Sequence, residues 1–368
     1  MTAAQRTALI ACALVLQALP DTAAAQGPIE LTPPAAKPAA PPKLRHAPAN
    51  HAAPPHKAAT PDTPPASAPP PPTPTSNTAE AVIPGRDPDL PFGAFQRGYY
   101  ISAFVLATKR VEEKGDRKSM TLLGELYAQG LGVPRDDKKA SEWYKLAADR
   151  GDRDAMFALA MFRFTGRNGP ADRAEAARLL AAAAKLGHPV AAYNLGLLYL
   201  EGQQFPQDDA RAAELFRAAA TAGNSEAQYA LATFYKDGRG VPKDDREAAR
   251  LLAAAALVDN TDAMVEYAIA LFNGTGTAKN ETLAAAIFLK AARKGSPIAQ
   301  NRIARILAAG RGVPADPVQA AKWHLIAKAG GAGDPFLDDF VHKQNSEVRE
   351  AAQKAAKPWL DEIARSRS

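Results

Sequence analysis

Residues 188–223 read HPVAAYNLGLLYLEGQQFPQDDARAAELFRAAATAG, and this stretch decides the fold. His188 stands where a capping side chain is expected but is not one of the usual capping residues, and Pro189 follows at the first helical position, where proline's missing donor and fixed φ are no handicap. About twelve residues on, Gly202 supplies the left-handed conformation that ends a helix without a Cβ clash. Pro206 marks a turn, Asp208 caps a second helix, and Gly223 closes it. The stretch predicts a helix–turn–helix unit.

Working outward, the same marks recur every 36 residues. Gly115, Gly151, Gly187, Gly223, Gly295 and Gly331 form one ladder, with Asp259 on its missing rung. Gly130, Gly166, Gly202, Gly238, Gly274 and Gly310 form another without exception. Asp116, Asp152, His188, Asn224, Asn260 and Ser296 stand where first helices begin, and Asp136, Asp172, Asp208, Asp244, Asn280 and Asp316 where second helices begin. Six units follow without insertion: 116–151, 152–187, 188–223, 224–259, 260–295 and 296–331. One such unit cannot bury its own apolar face, so neighbours must stack. The expected fold is all-α, an α-solenoid of six helix–turn–helix repeats with capping helices at 92–115 and 332–368. The N-terminal cap is expected as one helix around Tyr99–Glu113, and the C-terminal one as a helix from Asn345 or Ser346 to about Lys357.

Small residues explain how the paired helices approach. Gly124, Ala160, Gly196, Ala232, Ala268 and Ala304 lie midway along the first helices, and two alanine columns run through the second. Large partners stand beside them, including Trp143, Tyr144, Phe216 and Phe288. The unit is clearest in Leu123-Gly124, Tyr127, Gly130, Gly132-Val133, Asp136, Ala140, Trp143-Tyr144 and Ala147-Ala148. It resembles the Sel1-like repeat, a relative of the tetratricopeptide repeat. The resemblance implies a right-handed superhelix used as an adaptor or scaffold, in bacteria often periplasmic. Two turns depart from the pattern, with Asn168 and Gln204 in place of the second glycine. A cysteine-rich branch of the family, linked to penicillin binding, staples each unit with a disulfide; its cysteines are absent here, so that activity is not implied.

The ends of the chain carry different information. Arg6, the 13-residue apolar run Thr7–Leu19 and Ala23-Ala24-Ala25 describe a secretory signal peptide, residues 1–25, cleaved after Ala25. The run is shorter than the roughly 20 residues a spanning helix needs, so no stable membrane span is expected. A lipobox reading of Leu9-Ile10-Ala11-Cys12, with lipid on Cys12, would leave too short an apolar core after Arg6. Cys12 is the only cysteine, so the mature chain has no disulfide, thiol nucleophile or zinc set.

Residues 26–91 hold most of the 31 prolines and almost no large apolar side chains. They are expected to form a disordered linker biased toward polyproline II, reaching at most about 200 Å. His46, His51 and His56 recur within it, but three imidazoles on such a chain define no metal site. The segment is charge-balanced, so the net +6 falls on the repeats, too thinly to be a nucleic-acid footprint.

No catalytic motif, P-loop or zinc spacing is present, and no cofactor is expected. His188 falls in the capping column and His324 in a core column. The residues left to carry function lie on the first helices, on the arc opposite the small column, at 118, 121, 122 and 125 plus multiples of 36. They include Phe157, Met161, Tyr193, Asn194, Leu197 and Tyr229, then Glu266, Ile269, Arg302 and Arg305 toward the C-terminal units. The expectation is a concave apolar groove with a charged end, binding an extended peptide or partner protein. For Tyr193 and Tyr229 packing between repeats is the preferred reading over binding, and for Met161, Leu197 and Arg305 packing and binding stand nearly level. The function expected is that of a monomeric, periplasmic, non-enzymatic scaffold. The variant is a regulator docking on an envelope sensor kinase, and the rival of another class is an enzyme acting on cell wall.

Overall fold

The computed structural model describes residues 89–367, so the expected signal peptide with Cys12 and the expected linker as far as residue 88 lie outside the described residues. Among the described residues all regular structure is helical. Two helices, α1 (Leu90–Gln96) and α2 (Tyr100–Lys114), precede the repeats. The six hairpins are α3 (Arg117–Gln129) with α4 (Asp137–Asp149), α5 (Arg153–Thr165) with α6 (Arg173–Lys185), and α7 (Pro189–Glu201) with α8 (Asp209–Thr221). They continue with α9 (Ser225–Asp237) and α10 (Asp245–Leu257), α11 (Thr261–Asn273) and α12 (Glu281–Arg293), then α13 (Pro297–Ala309) and α14 (Pro317–Ala329). Two more helices, α15 (Pro335–His342) and α16 (Ser346–Arg367), follow. No helix of the described residues is long and apolar enough to cross a membrane.

The repeat columns act as the chemistry requires. Each first helix is capped by the side chain in its opening column: Asp116, Asp152, Asn224, Asn260 and Ser296 accept from the backbone N–H three residues on. His188 joins them through its ring, Nδ1 accepting from the Ala191 N–H at 3.0 Å. A cap of this kind is worth about 1 kcal/mol. His188→Ala should therefore lower stability by about that much while His188→Asn keeps it, as urea unfolding would show. The connecting turn is closed six times by one bond. The second-helix cap residue donates its own N–H to a carbonyl nine positions back, as Asp136 does to Tyr127 at 3.0 Å and Asp316 to Leu307 at 3.0 Å. Asp259, on the missing glycine rung, adopts φ 67° and so keeps the left-handed ending.

The second glycine of the turn has a different cause. A Cβ on Gly132 would stand 2.8 Å from the backbone nitrogen of Ile101, at the start of α2. On Gly240, Gly276 and Gly312 it would collide with backbone at the start of α8, α10 and α12. The turn of one unit thus sits against the first residues of the preceding second helix. An arginine reinforces this contact in alternate units. Arg167, Arg239 and Arg311 reach back 30 residues to Asp137, Asp209 and Glu281. Each also covers the ring of Phe162, Phe234 or Phe272, at 4.1, 4.7 and 4.6 Å. Hydrogen bonds from Arg167 and Arg135 hold the Asp137 carboxyl far below the usual carboxylate range.

The chain divides into two compact bodies, the division falling between residues 179 and 180. In the first, Met120, Leu123, Leu126 and Tyr144 are fully buried. Tyr144 meets Phe162 edge to face at 5.4 Å, and its ring occupies the space a Cβ on Gly124 would need. The end of this core is covered by α1 and α2, with Phe104 edge-on to Tyr127 at 5.7 Å. In the second body Phe216, Leu252, Phe288 and Trp323 are buried between successive hairpins. Here α16 covers the end, Trp359 packing edge to face on Trp323 at 5.5 Å.

Both caps differ from the sequence expectation. The segment 92–115 is not one helix: α1 precedes α2, with Asp89 as its cap and Pro91 at its first turn. At the other end α15 precedes α16, and α16 runs past Pro358 to Arg367 instead of stopping near Lys357. Proline removes one backbone bond there, but Trp359, Leu360 and Ile363 beyond it pack on the core and hold the helix together.

Candidate interaction face

The arc on the first helices separates into a buried part and an open part. Phe157, Met161, Tyr193, Asn194 and Leu197 are between 0 and 6% exposed, and Ile269 is 4% exposed. The expectation that these residues lie open to a partner is corrected. The physical reason is composition: α5 and α7 are apolar on nearly every side, Ala191 to Leu198 being buried without a break, and such a helix is enclosed by its neighbours. Tyr193 and Leu197 belong to the core that holds Phe216, Ala227 and Leu231, with the Tyr193 and Phe216 ring centroids 5.6 Å apart. For Tyr193 the inter-repeat packing reading is the one the structure supports.

Further along, the arc opens. Tyr229 is half-buried, and its phenol is pushed well up by burial and by the carboxylates of Glu266, Asp262 and Glu226. Glu266 pairs with Lys236 at 2.7 Å. In the sixth unit all four arc positions, Ile298, Asn301, Arg302 and Arg305, line one side of an open cavity of about 320 Å³. Its other wall is the 332–335 segment that leads into α15.

Arg305 is oriented by Asp334, which is only 5% exposed. Its Nε and a terminal nitrogen donate to the two carboxylate oxygens at 2.5 and 2.9 Å. Asn301 donates to the same carboxylate at 3.0 Å, and the Phe336 N–H at 3.1 Å. Burial works against ionisation of Asp334, but these donors outweigh it and its pKa falls below the usual range. Arg302 is shifted downward by burial and by the charge of Arg305. The charged residues lining the cavity are Arg302, Arg305 and Asp334, and the exposed Ile298 stands at its edge. Sequence reading found the four positions but not Asp334, which lies beyond the last repeat; its only signal was the Asp334-Pro335 pair that starts a helix.

His188 and His324 have structural surroundings. His324 is 1% exposed and its Nε2 lies 2.8 Å from Asp338, which also accepts from Lys328 at 2.7 Å. Among the described residues, no group of three or more histidine, cysteine or acidic side chains could hold a metal ion.

Tandem helical hairpins at one strict spacing define a repeat protein of the solenoid class. Residues 117–152, 153–188, 189–224, 225–260, 261–296 and 297–331 each match the Sel1 repeat, and the chain belongs to the Sel1 repeat family. A Sel1 repeat protein from Oxalobacter formigenes shares the fold, with TM-score 0.55 and 24% identity over 64% of this chain and 94% of that one. A protective antigen of uropathogenic Escherichia coli displaying an SLR fold aligns with TM-score 0.50 and 25% identity, over 73% of this chain and 65% of its own length. No curated protein matches the chain. Sel1 repeat proteins generally mediate protein–protein interaction and are typically non-enzymatic.

Proposed function

We propose that this protein is an exported, periplasmic scaffold that holds a peptide or partner protein against the first-helix face of its C-terminal units. The observation that carries the reading is the sixth-unit cavity, where all four arc positions converge on open space beside Asp334 and Pro335. Ile298 supplies exposed apolar surface there, Arg302 and Arg305 supply cationic donors, and the half-buried Tyr229 and Glu266 lie on the equivalent arc of units four and five. An extended segment with an apolar residue and an acidic neighbour suits that surface. Export rests on the N-terminal residues: the basic start, short apolar run and Ala23-Ala24-Ala25.

Two measurements test the reading. A photo-crosslinking residue placed at 298 in intact cells should capture a discrete partner, and the same residue at 250, on a second helix, should not. Ile298→Glu, at a surface position, should abolish capture with little change in thermal midpoint. Equal capture from 298 and 250 would sink the face assignment. For export, the protein recovered from the periplasmic fraction should begin at Gln26. A chain that keeps Met1 and stays in the cytosol would remove that half of the proposal.

A further inference from the structure

On the second-helix side of the last two units lies a larger cavity, of about 610 Å³. Its apolar walls come from Ala285 and Leu289 on α12, Ile303 and Leu307 on α13, Trp323 on α14 and Trp359 on α16. The repeat columns explain why space is left here. The columns of Ile303 and Leu307 hold a tyrosine in each of the two units before: Tyr235 in the fourth and Tyr267 in the fifth. Tyr235 reaches the guanidinium of Arg217 at 3.1 Å, and Arg217 stands in the column that holds Leu289 two units later. Tyr267 packs against both neighbouring cores. In the sixth unit both columns are aliphatic, and nothing spans the gap.

The mouth of the cavity is cationic. Arg293 and Lys322 both line it, and among the described residues neither has an acidic partner. Lys322 instead lies over the Trp323 ring, 4.6 Å from its centroid. Its ammonium is shifted downward by burial and by the charge of Arg293. Two like charges against an apolar wall are stabilised by an anion placed between them.

We propose that this cavity binds an amphipathic carboxylate, its acyl chain between Trp323, Trp359 and the aliphatic wall and its carboxylate on Arg293 and Lys322. The volume falls within the range of small-molecule sites, which are mostly apolar with a few placed polar groups. The choice of an acyl chain over a peptide follows from the walls. Apart from Val313 in a turn, they are side chains of helices, and the polar side chains besides the two cations are only Thr282, which already donates to the Gly312 carbonyl at 2.9 Å, and Gln319. A peptide would bring a donor and an acceptor with every residue and find little besides the Gln319 amide to pair them. An acyl chain brings none.

Tryptophan emission reads the site directly, since Trp323 is 2% exposed and lies with Trp359 in the wall. The full chain titrated with dodecanoate, below its micellar concentration, should give a saturable change in emission with one molecule bound. Dodecanol and dodecyltrimethylammonium should each bind at least about tenfold more weakly. Leu307→Tyr, which restores the residue present at Tyr127, Tyr199 and Tyr235, should keep the helical signal and lose the response. Arg293→Gln with Lys322→Gln, both at the rim, should weaken dodecanoate about tenfold and leave dodecanol unchanged. Absence of a saturable response in the unmodified chain would overturn the proposal. So would an undiminished response in folded Leu307→Tyr, or tighter binding of a short peptide ending in a leucine carboxylate.

Discussion

Gly276→Ala is expected to destabilise the protein by about 3–5 kcal/mol, far more than an alanine normally does at the surface. Two costs add. Gly276 has φ 67°, and an L-residue in that region gives up roughly 1–2 kcal/mol. A Cβ there would also collide with the carbonyl of Asp245, which is backbone at the start of a helix and cannot turn aside. Gly295→Ala separates the two costs. Gly295 is equally left-handed, at φ 90°, but a Cβ on it meets nothing within 4 Å. It should lose only the conformational part, about 1–2 kcal/mol. Denaturant unfolding of both variants, followed by circular dichroism, decides the matter. Similar losses would mean that the turn does not pack on the preceding helix as tightly as the structure has it.

This contrast bears on what the sequence could reveal. The glycine ladders were legible because each rung repeats at one spacing and has a local cause, a left-handed residue at a helix end. The second turn glycine was legible as a pattern but not as a contact, because its reason lies in another unit. The same holds for Arg167, Arg239 and Arg311. Their spacing of two units, with Asp137, Asp209 and Glu281 spaced alike, is a signal that a search at one-unit spacing passes over.

The candidate face failed at Phe157, Met161, Tyr193, Asn194 and Leu197 for a related reason. The residue columns of a single helix specify only the side opposite Gly196. Which part of that side a neighbour covers depends on the angle between successive hairpins, and no residue column states that angle. The uniformly apolar run Ala191–Leu198 was the available warning, apart from Asn194 within it. The helix α1 was missed although Asp89 and Pro91 announce it, because both fall at the end of a proline-rich stretch where proline had lost its meaning as a mark.

Arg305→Ala should be the most damaging change at the candidate face, lowering stability by about 3 kcal/mol. The loss comes less from the arginine than from what it leaves behind. Asp334 is 5% exposed, and without its bidentate partner the carboxylate would remain buried with only Asn301 and the Phe336 N–H as donors. The double variant Arg305→Ala with Asp334→Ala should be less destabilised than the sum of the singles, giving a coupling of about 2 kcal/mol. Asp334→Asn keeps the side-chain shape and an oxygen that can accept from Phe336, but it removes the charge and turns the oxygen that accepts from Asn301 and the Arg305 Nε into an N–H donor.

The pH dependence has a definite sign. The folded-state pKa of Asp334 lies below its ordinary value, so its contribution is complete above an unfolded value of about 3.9 and is lost as pH falls through the folded one. Acid unfolding of the unmodified protein should therefore steepen below about pH 4, and Asp334→Asn should flatten that limb without changing its neutral-pH slope. An Asp334→Asn acid limb identical to the parent's would mean that the pair is not a stabilising element. Arg305 would then be held in place for the partner alone, and its replacement should abolish capture while leaving the unfolding midpoint where it was.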